Sequence, residues 1–515
     1  MRITTRQSTQ QRYICLNELP SAREPQRPAL AHDSVPAAAP ESRLGIERHS
    51  IDFVPESERH GRVRDQGLFW FLSNFQFFAI AIGFVGPSLG LSLGYTSLAG
   101  AVGILVGTAF QAFHASQGAE LGLPQMIQSR AQFGFRGVIV PLLATLVSLI
   151  GYNVVSTVLA SEGFHSLWHI DRSAAAVGVS LLAATLAIWG YDWLHRVFRI
   201  LFWISLPLFS ILSLAILFGN AGGAVHASGG FSWPAFVTQL ASAASFNIGS
   251  APYVSDYSRY LPSRTPRASI ILNVFAGSAL SAIWLIVLGA WLATHVSIDD
   301  GLLALRQAGD IVRPGLGSIL AAISIAALVA TIGMNAYSGM LTFVTTVDSL
   351  HPIRPTRTLR VLVLLGLMVV WIAVALSFGG NAVTYVNGML VLMLYFLMPW
   401  TAVNLIDYFC LRRGRYSIVD LFRPHGLYGS WGVRGLTAYA VGFGISVPFF
   451  VIPNVYTGAL AARLGGVDIG WLVSAAAASC TYLLVSRRFD AADEAGAVAA
   501  SQQALGQAPA LAAAR

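Results

Sequence analysis

The side chains with useful chemistry are few, and they lie inside long apolar runs. Gln76, Asn247 and Asn335 each interrupt such a run. An amide inside a bilayer is costly unless it is hydrogen-bonded, and it offers a donor and an acceptor together. These amides therefore suit either a neutral heterocycle whose edge alternates N–H and C=O groups, or hydrogen bonds between helices. No arginine or carboxylate lies clearly at the centre of a run, so a strongly charged ligand is not favoured.

One apolar run also carries an aromatic side chain and a hydroxyl one helical turn apart. In LIGYNVVST, Tyr152 and Ser156 are four residues apart and share a helix face. An aromatic face can stack on a flat ring, and a hydroxyl can orient it. The alternative is that these residues only pack against neighbouring helices.

The composition identifies the class of protein that must position these groups. Of 515 residues, 55% are hydrophobic and 11% are charged, whereas soluble globular proteins carry about 25% charged residues. So few charges cannot cover a soluble surface, and the apolar excess excludes a disordered chain. The sequence therefore predicts an integral membrane protein.

Apolar runs of about 20 residues cross a bilayer as helices, and the sequence contains twelve. No segment between them is long enough for a soluble domain. The predicted spans are about 68–93, 95–117, 137–165, 174–190, 197–219, 235–255, 269–293, 315–345, 359–378, 382–409, 433–453 and 467–486.

The basic residues give the orientation of these spans. All 32 are arginine, and the net charge is +8. With a cytoplasmic N-terminus, fifteen loop arginines fall on the inner side and four, Arg172, Arg306, Arg313 and Arg463, on the outer side. Arginine accumulates in cytoplasmic loops. We therefore expect a multi-pass protein of the cytoplasmic membrane with both termini inside, and the positive charge does not indicate a nucleic-acid partner.

The chain divides into a membrane domain and two polar tails. Residues 1–66 are predicted to be a largely disordered cytoplasmic tail, because they lack the apolar core of a signal peptide. Residues 67–490 form the predicted transporter domain, and 491–515 a second disordered tail.

The first and sixth spans contain residues that interrupt helices. The first has Ser73, Asn74 and Gln76 before glycines and a proline, and the sixth has Asn247 before Gly249 and Pro252. These spans correspond if 68–219 and 235–409 are two five-helix repeats followed by extra helices over 433–486. Broken helices in matching positions indicate the binding site of an inverted-repeat transporter, although glycine and proline are common in membrane helices generally.

Several motifs between about residues 60 and 488 resemble the nucleobase–cation symporter family 1, of the purine–cytosine permease type. They are GLPQMIQSRAQFGFRG, GYNVVS, SAPYVSDYSRYLP, MNAYSGMLTF and FLMPWTAVNLIDYFCLRRGRYSI. The resemblance implies an all-α, LeuT-like fold of twelve transmembrane helices that works by alternating access. Members of this family carry nucleobases or related rings together with Na⁺ or H⁺.

The resemblance also assigns substrate-binding positions. The glutamine of span 1, the aromatic and polar pair of span 3, an aromatic near the break of span 6 and two polar residues of span 8 are implied to contact the ring. The matching residues are Gln76, Tyr152, Ser156, Phe246 or Asn247, Thr331 and Asn335.

The implied cation site departs from the sodium-coupled pattern. The matching carbonyls belong to Leu72, Phe75 and Ala326, but the two positions that should carry hydroxyls hold Val329 and Ala330. Na⁺ requires oxygen ligands, so this difference favours proton coupling. An offset of two residues in span 8 would instead bring Thr331 to the cation.

Charged residues near the span ends have other implied roles. Asp256, Arg259 and Asp407 lie in family motifs and are expected to form ion pairs at an inner gate. Glu162 and His114 stay open as proton carriers or as ordinary residues near helix ends.

The sequence thus predicts a transporter, not an enzyme, that imports purines or cytosine by cation symport, with H⁺ favoured over Na⁺ and no cofactor or metal. The alternatives are another heterocycle, such as allantoin, a hydantoin, uracil or a vitamin precursor, sodium coupling, or an amino-acid symporter of the same fold. A channel would need a continuous polar stripe and a membrane enzyme clustered acid–base residues, and neither is found. A sensor without flux stays open.

Overall fold

Long apolar segments form helices because every backbone N–H and C=O group must be paired inside hydrocarbon. The computed structural model describes residues 47, 49–221, 229–296, 300–351, 353, 355–377, 382–452 and 455–506, and most of them are helical. The only strands among these residues are β1 (Val451–Ile452) and β2 (Tyr456–Thr457), which pair antiparallel.

Nine α-helices precede residue 220 in the described part of the chain. They are α1 (Val63–Asn74), α2 (Phe77–Gly83), α3 (Val85–Ser88), α4 (Leu93–Leu121), α5 (Gln125–Gln128), α6 (Arg130–Phe133), α7 (Ile139–Trp168), α8 (Arg172–Trp189) and α9 (Tyr191–Leu217).

The second group continues the helical pattern to the C-terminal region. It comprises α10 (Trp233–Ile248), α11 (Val254–Ser258), α12 (Arg267–His295), α13 (Gly301–Val312), α14 (Leu316–Leu350), α15 (Arg357–Ser377), α16 (Ala382–Ile406), α17 (Val433–Ser446), α18 (Ala459–Arg463), α19 (Gly470–Val485) and α20 (Ala495–Ala504).

The helices bear out the prediction of a membrane protein. Eight of them in the described part of the chain are long and apolar enough to cross a bilayer, and the bent pair formed by α1 with α2–α3 makes nine. The other three predicted spans coincide with α10, α17 and α19, which are shorter, at 14 to 16 residues. Each predicted span overlaps a helix, but the count of twelve crossings stays a prediction.

Both predicted interruptions are present. The two halves of the first span meet at 57°, and Phe75 and Gln76 lie between them in extended or irregular backbone. The Gln76 side chain caps α2, because its Oε1 accepts a hydrogen bond from Phe78 N at 2.5 Å. In the other span α10 ends at Ile248, and a 3₁₀ turn over Ala251–Tyr253 precedes α11.

Helices α4 and α10 pack very closely around these breaks. A Cβ added at Gly107 would overlap the backbone of Ala244. Small residues at this contact let two backbones approach, as is common between membrane helices. The close approach brings Thr108 of α4 beside the end of α10.

Part of the predicted disordered tails is folded. Residues 47 and 49–62, which we call the N-terminal strap, pack on the helices, with Ile51 and Val54 buried. In the C-terminal tail α20 begins at Ala495, and Ser501 accepts a hydrogen bond from Val419 N at 3.1 Å. The expectation of disorder is therefore wrong for these two stretches, because local polarity does not reveal contacts with distant helices. Residues 1–46, 48 and 507–515 lie outside the described part of the chain, and for them the prediction of disorder stays untested.

Candidate substrate-binding site

A small cavity lies where the two broken spans face α7 and α14. Its water-accessible volume is about 20 Å³, roughly the space of one water molecule. No lining side chain carries a charge. The lining residues are Trp70, Ser73, Asn74, Gln76, Phe78, Tyr152, Ser156, Phe246, Ser250, Tyr253, Thr331, Met334 and Asn335.

Six of the seven residues predicted to bind substrate meet in this lining, although they come from four separate segments of the chain. They are Gln76, Tyr152, Ser156, Phe246, Thr331 and Asn335. The structure thus assembles one polar and aromatic site from residues up to about half of the chain apart.

Asn247 is the exception, because its side chain lies outside the lining. Its Oδ1 accepts a hydrogen bond from Asn74 Nδ2 at 2.7 Å, and its Nδ2 donates to Thr108 Oγ1 at 2.6 Å. The residue is fully buried. Asn247 therefore links α1, α4 and α10, which is the interhelical role that the sequence left open for it.

Aromatic rings form a layered wall beside the cavity. The Phe78 ring lies 5.6 Å from the Tyr152 ring and stacks on the Phe246 ring, also at 5.6 Å, with an interplanar angle of 13°. The Tyr152 hydroxyl lies 3.4 Å from the carbonyl oxygens of Ser245 and Phe246. Such a wall favours a flat ring, and Phe78 contacts both of the predicted stacking residues.

Two fully buried polar atoms of the lining residues have no hydrogen-bond partner among the described residues. They are the indole Nε1 of Trp70 and the amide Oδ1 of Asn335. Buried polar groups are nearly always paired in proteins. The residues that line this cavity thus hold one free donor and one free acceptor, the two groups that the alternating edge of a heterocycle can pair with.

Trp70 was not predicted, and neither was Phe78 nor Tyr253. Trp70 and Phe78 lie in the aromatic-rich run FWFLSNFQFF, where aromatic residues are equally expected to face lipid. A possible signal was the spacing of Trp70, Ser73 and Asn74 just before the break, which places several polar atoms near one another.

The predicted cation region is only partly assembled. The Leu72 carbonyl accepts a hydrogen bond from Phe75 N at 3.0 Å. Ala326 is exposed on the outside of α14, whereas Ala330 is buried. The Thr331 hydroxyl, from the alternative alignment, lies 3.0 Å from the Ala327 carbonyl and 3.5 Å from the Ser73 carbonyl of α1. The oxygens at the contact between α1 and α14 thus come from Thr331 and from neighbouring carbonyls, not from positions 329 and 330.

The predicted inner gate contains one of the expected ion pairs. Asp407 binds Arg412 at 2.5 Å and accepts hydrogen bonds from Tyr416 and Tyr482 at 2.7 and 2.8 Å. Asp407 is fully buried at the end of α16, so this carboxylate is compensated.

An ion pair between Asp256 and Arg259 is absent, which corrects that part of the gate prediction. Arg259 instead binds Glu47 of the strap, at 3.0 Å. No described arginine or histidine lies within 4.0 Å of the Asp256 carboxylate. The reason is that the strap, predicted to be disordered, supplies a competing carboxylate.

The two open candidates for proton carriers are also placed. Glu162 forms a solvent-exposed ion pair with Arg172 at 2.9 Å. His114 is buried and stacks on Trp400, with ring centroids 4.7 Å apart. Its Nδ1 faces the amide nitrogens of Gln117 and Gln125 at 3.3 and 3.4 Å.

Broken helices around a buried cavity are typical of membrane transporters. Comparisons with known proteins then identify the family. The profile of the permease family for cytosine/purines, uracil, thiamine and allantoin matches residues 53–474. The protein YxlA of Bacillus subtilis strain 168, whose name gives purine-cytosine permease as its candidate function, is 32% identical, over 86% of this chain and 96% of its own. The purine-cytosine permease FCY2 of Saccharomyces cerevisiae is 23% identical, over 85% of each chain.

The chain therefore belongs to the purine–cytosine permease type of the nucleobase–cation symporter 1 family, and it is a transporter, not an enzyme. The resemblance of its motifs to this family is confirmed.

Solved structures support the fold. The transporter Mhp1 of the same family, in a closed conformation with bromovinylhydantoin bound, gives a TM-score of 0.68 at 18% identity over 87% of this chain and 98% of that chain. Its inward-facing conformation gives a TM-score of 0.63 at 17% identity, over 88% of this chain and 98% of that chain. The predicted LeuT-like class of fold is confirmed.

Proposed function

We propose that this protein imports a nucleobase, a purine or cytosine, by symport with a proton across the cytoplasmic membrane. The observation that carries the proposal is the uncharged cavity with an aromatic wall, an unpaired indole N–H and an unpaired amide oxygen. A neutral planar ring with donors and acceptors on its edge complements these groups. An amino-acid zwitterion would need partners for two charges.

The proposed topology has twelve membrane crossings. Residues 68–219 and 235–409 form two five-helix repeats, 433–486 adds two helices, and both termini are cytoplasmic. The broken spans α1–α2 and α10–α11 occupy corresponding positions in the two repeats, which supports this division. The excess of arginine in the proposed inner loops supports the orientation.

Substrate binding requires the cavity to enlarge. A volume of about 20 Å³ does not hold a nucleobase ring, so aromatic side chains must separate when the ring enters. Phe78 is the side chain that must move, because it occupies the layer between Tyr152 and Phe246. In the proposed complex Gln76 and Asn335 bind the ring edge, and Trp70 donates a further hydrogen bond.

Proton coupling is proposed because the contact between α1 and α14 offers few free oxygens. Val329 and Ala330 carry no hydroxyl, and Thr331 already donates to a carbonyl of its own helix. A sodium site would need to recruit Thr331 together with backbone carbonyls, which is the alternative that the test must exclude.

The test is uptake of radiolabelled cytosine, adenine, hypoxanthine and guanine by cells that lack their own permeases. We expect saturable uptake that a protonophore abolishes and that replacement of Na⁺ leaves unchanged. Transport of allantoin, uracil or a hydantoin with none of the four bases would refute the substrate, and strict dependence on Na⁺ would refute the coupling ion.

Variants test the location of the site. Gln76→Ala and Asn335→Ala should each abolish uptake or change the preferred base, because each removes groups that bind the ring edge. Glu162→Gln, outside the cavity, is the control and should transport normally. Full activity in both amide variants would mean that the ring binds elsewhere.

A further inference from the structure

The N-terminal strap packs on the face of the molecule where α4 and α11 end and α15 begins. Val54 N donates a hydrogen bond to the Gly122 carbonyl at 2.9 Å, and Arg59 Nη1 donates to the Ala119 carbonyl at 2.5 Å. Arg360 of α15 donates to the Glu47 carbonyl, also at 2.5 Å. In the proposed topology this face is cytoplasmic, so the strap joins several helices at the inner side.

Glu47 is the centre of this contact. Its carboxylate accepts hydrogen bonds from Arg259 at 3.0 Å, from Tyr337 at 2.8 Å and from Arg360 at 3.3 Å, and Tyr260 also donates to it. Burial alone would raise the pKa of the Glu47 carboxyl, but the charges of Arg360 and Arg259 and the two tyrosine hydroxyls lower it below its usual value. Glu47 is therefore an anion that holds Arg259.

Asp256 lies three residues before Arg259 but forms no ion pair with it, and the Arg259 charge acts on the Asp256 carboxylate only from beyond 4.0 Å. The carboxylate is buried in α11, and its Oδ1 accepts a hydrogen bond from Gln125 N at 3.1 Å. A buried carboxylate without a directly bound cation is disfavoured in its ionised form, so a proton on Asp256 is stabilised.

Arg259 has the means to change partners. It follows Asp256 by three residues, a spacing that brings two side chains of a helix together. All of its Nη contacts go to the strap and to Tyr337, while its buried Nε has no partner among the described residues. If the strap leaves, Arg259 loses its carboxylate partner, and Asp256 is the carboxylate next to it along the chain.

We propose that Asp256 carries the coupled proton, and that Arg259 expels it by exchanging Glu47 for Asp256 when the strap leaves the inner face. The O–H bond of Asp256 breaks, its proton passes to cytoplasmic water, and the resulting carboxylate pairs with Arg259. Return of the strap withdraws the arginine and restores the affinity of Asp256 for a proton. This inference rests on the proton symport proposed above.

Other titratable groups face Asp256 from each neighbouring element. The strap contributes Glu47, the turn before α11 contributes Tyr253, α11 itself contributes Tyr257, and α14 contributes Tyr337. His114 of α4 reaches Asp256 only through Gln125. Arg259 also acts on the Asp256 carboxylate, from beyond ion-pair distance. Glu47 and Arg259 thus carry the charges whose rearrangement changes the proton affinity of Asp256.

The experiment uses the purified full-length chain in proteoliposomes with radiolabelled base. Two rates are measured, uptake driven by an inward proton gradient and exchange against internal base without a gradient. Asp256→Asn mimics the protonated residue. We expect it to keep exchange and to reduce gradient-driven uptake to the level of vesicles without a gradient, whereas the control Glu162→Gln keeps both.

A second variant tests whether Arg259 exchanges partners, and it keeps the inference testable if Asp256→Asn does not fold. Glu47→Gln leaves Arg259 free to interact with Asp256, so protonation of Asp256 should require a lower pH. The pH of half-maximal uptake is expected to fall by about one unit or more, because a nearby cation lowers a carboxyl pKa by roughly that amount. An unchanged pH profile would overturn the role of the strap.

The outcomes separate this inference from the function on which it rests. Wild-type protein that exchanges base but ignores a proton gradient contradicts proton symport itself. A wild-type protein driven by the gradient, with Asp256→Asn driven equally, leaves the symport intact and refutes Asp256 as the carrier.

Discussion

Gly249, in the break between α10 and α11, provides a sharp test of the aromatic wall. Its φ of −57° suits any residue, so alanine adds only a Cβ without straining the backbone. That Cβ would overlap the Tyr152 hydroxyl and lie 2.8 and 2.9 Å from Cε2 and Cζ of the ring. Ordinary contact begins at 3.4 Å, so the ring must move by about 0.6 Å or more.

The magnitude follows from this overlap. Tyr152 is only 5% exposed, and overpacking of this kind typically costs about 1–3 kcal/mol. If the displaced ring is the one that stacks on the substrate, the same free energy raises the KM of Gly249→Ala about 5- to 150-fold. Expression and membrane insertion should change little, because the altered contact is local.

The assay is the initial rate of uptake as a function of base concentration, corrected for the amount of protein in the membrane. Gly178→Ala is the matched control, since a Cβ there meets nothing within 4 Å. Tyr152→Phe removes the nearest clashing atom, so the double variant should be less impaired than the two single effects together predict. A KM within about twofold of wild type for Gly249→Ala, or simple additivity, would refute the assignment of Tyr152 to the substrate wall.

Four further outcomes are expected. Trp70→Phe removes the unpaired indole N–H and should raise the KM without lowering protein abundance, whereas equal KM values would exclude Trp70 from recognition. Asn335→Asp should no longer bind neutral bases, as measured by competition for uptake. Asn247→Leu removes the buried hydrogen bonds to Asn74 and Thr108 and should lower the free energy of unfolding by about 1–3 kcal/mol. This would be seen as a lower melting temperature in detergent, and an unchanged melting temperature would contradict the structural role. The stability that Glu47 contributes is fully present above its unfolded pKa, near 4.5, and is lost as pH falls through its lower folded pKa. The melting temperatures of wild type and Glu47→Gln should therefore differ at neutral pH and converge at acidic pH. A constant difference would be inconsistent with an ionised Glu47.

Prediction from the sequence succeeded where the signal was local. The amides Gln76 and Asn335 were recognised because a polar side chain in an apolar run is rare, and both line the cavity. The same reasoning could not separate them from Asn247, whose partners Asn74 and Thr108 come from other helices.

Other features had no local signal. Trp70 looks like any aromatic residue of a membrane helix until its neighbours show that its N–H has no partner. Glu47 is one acidic residue in a polar tail, and its importance comes from two arginines more than 200 positions away.

The sequence by itself determined the class of protein, the family and the location of the interrupted spans, because apolar length, arginine placement and helix-breaking residues are properties of short segments. The tertiary structure decided which polar atoms are paired and which are left free, and therefore which side chains line the cavity. It also decided that Arg259 pairs with Glu47 and that Asp256 has no ion pair. The physical reason is that hydrogen bonds and ion pairs depend on distances between helices, and packing sets these distances between segments far apart in the chain.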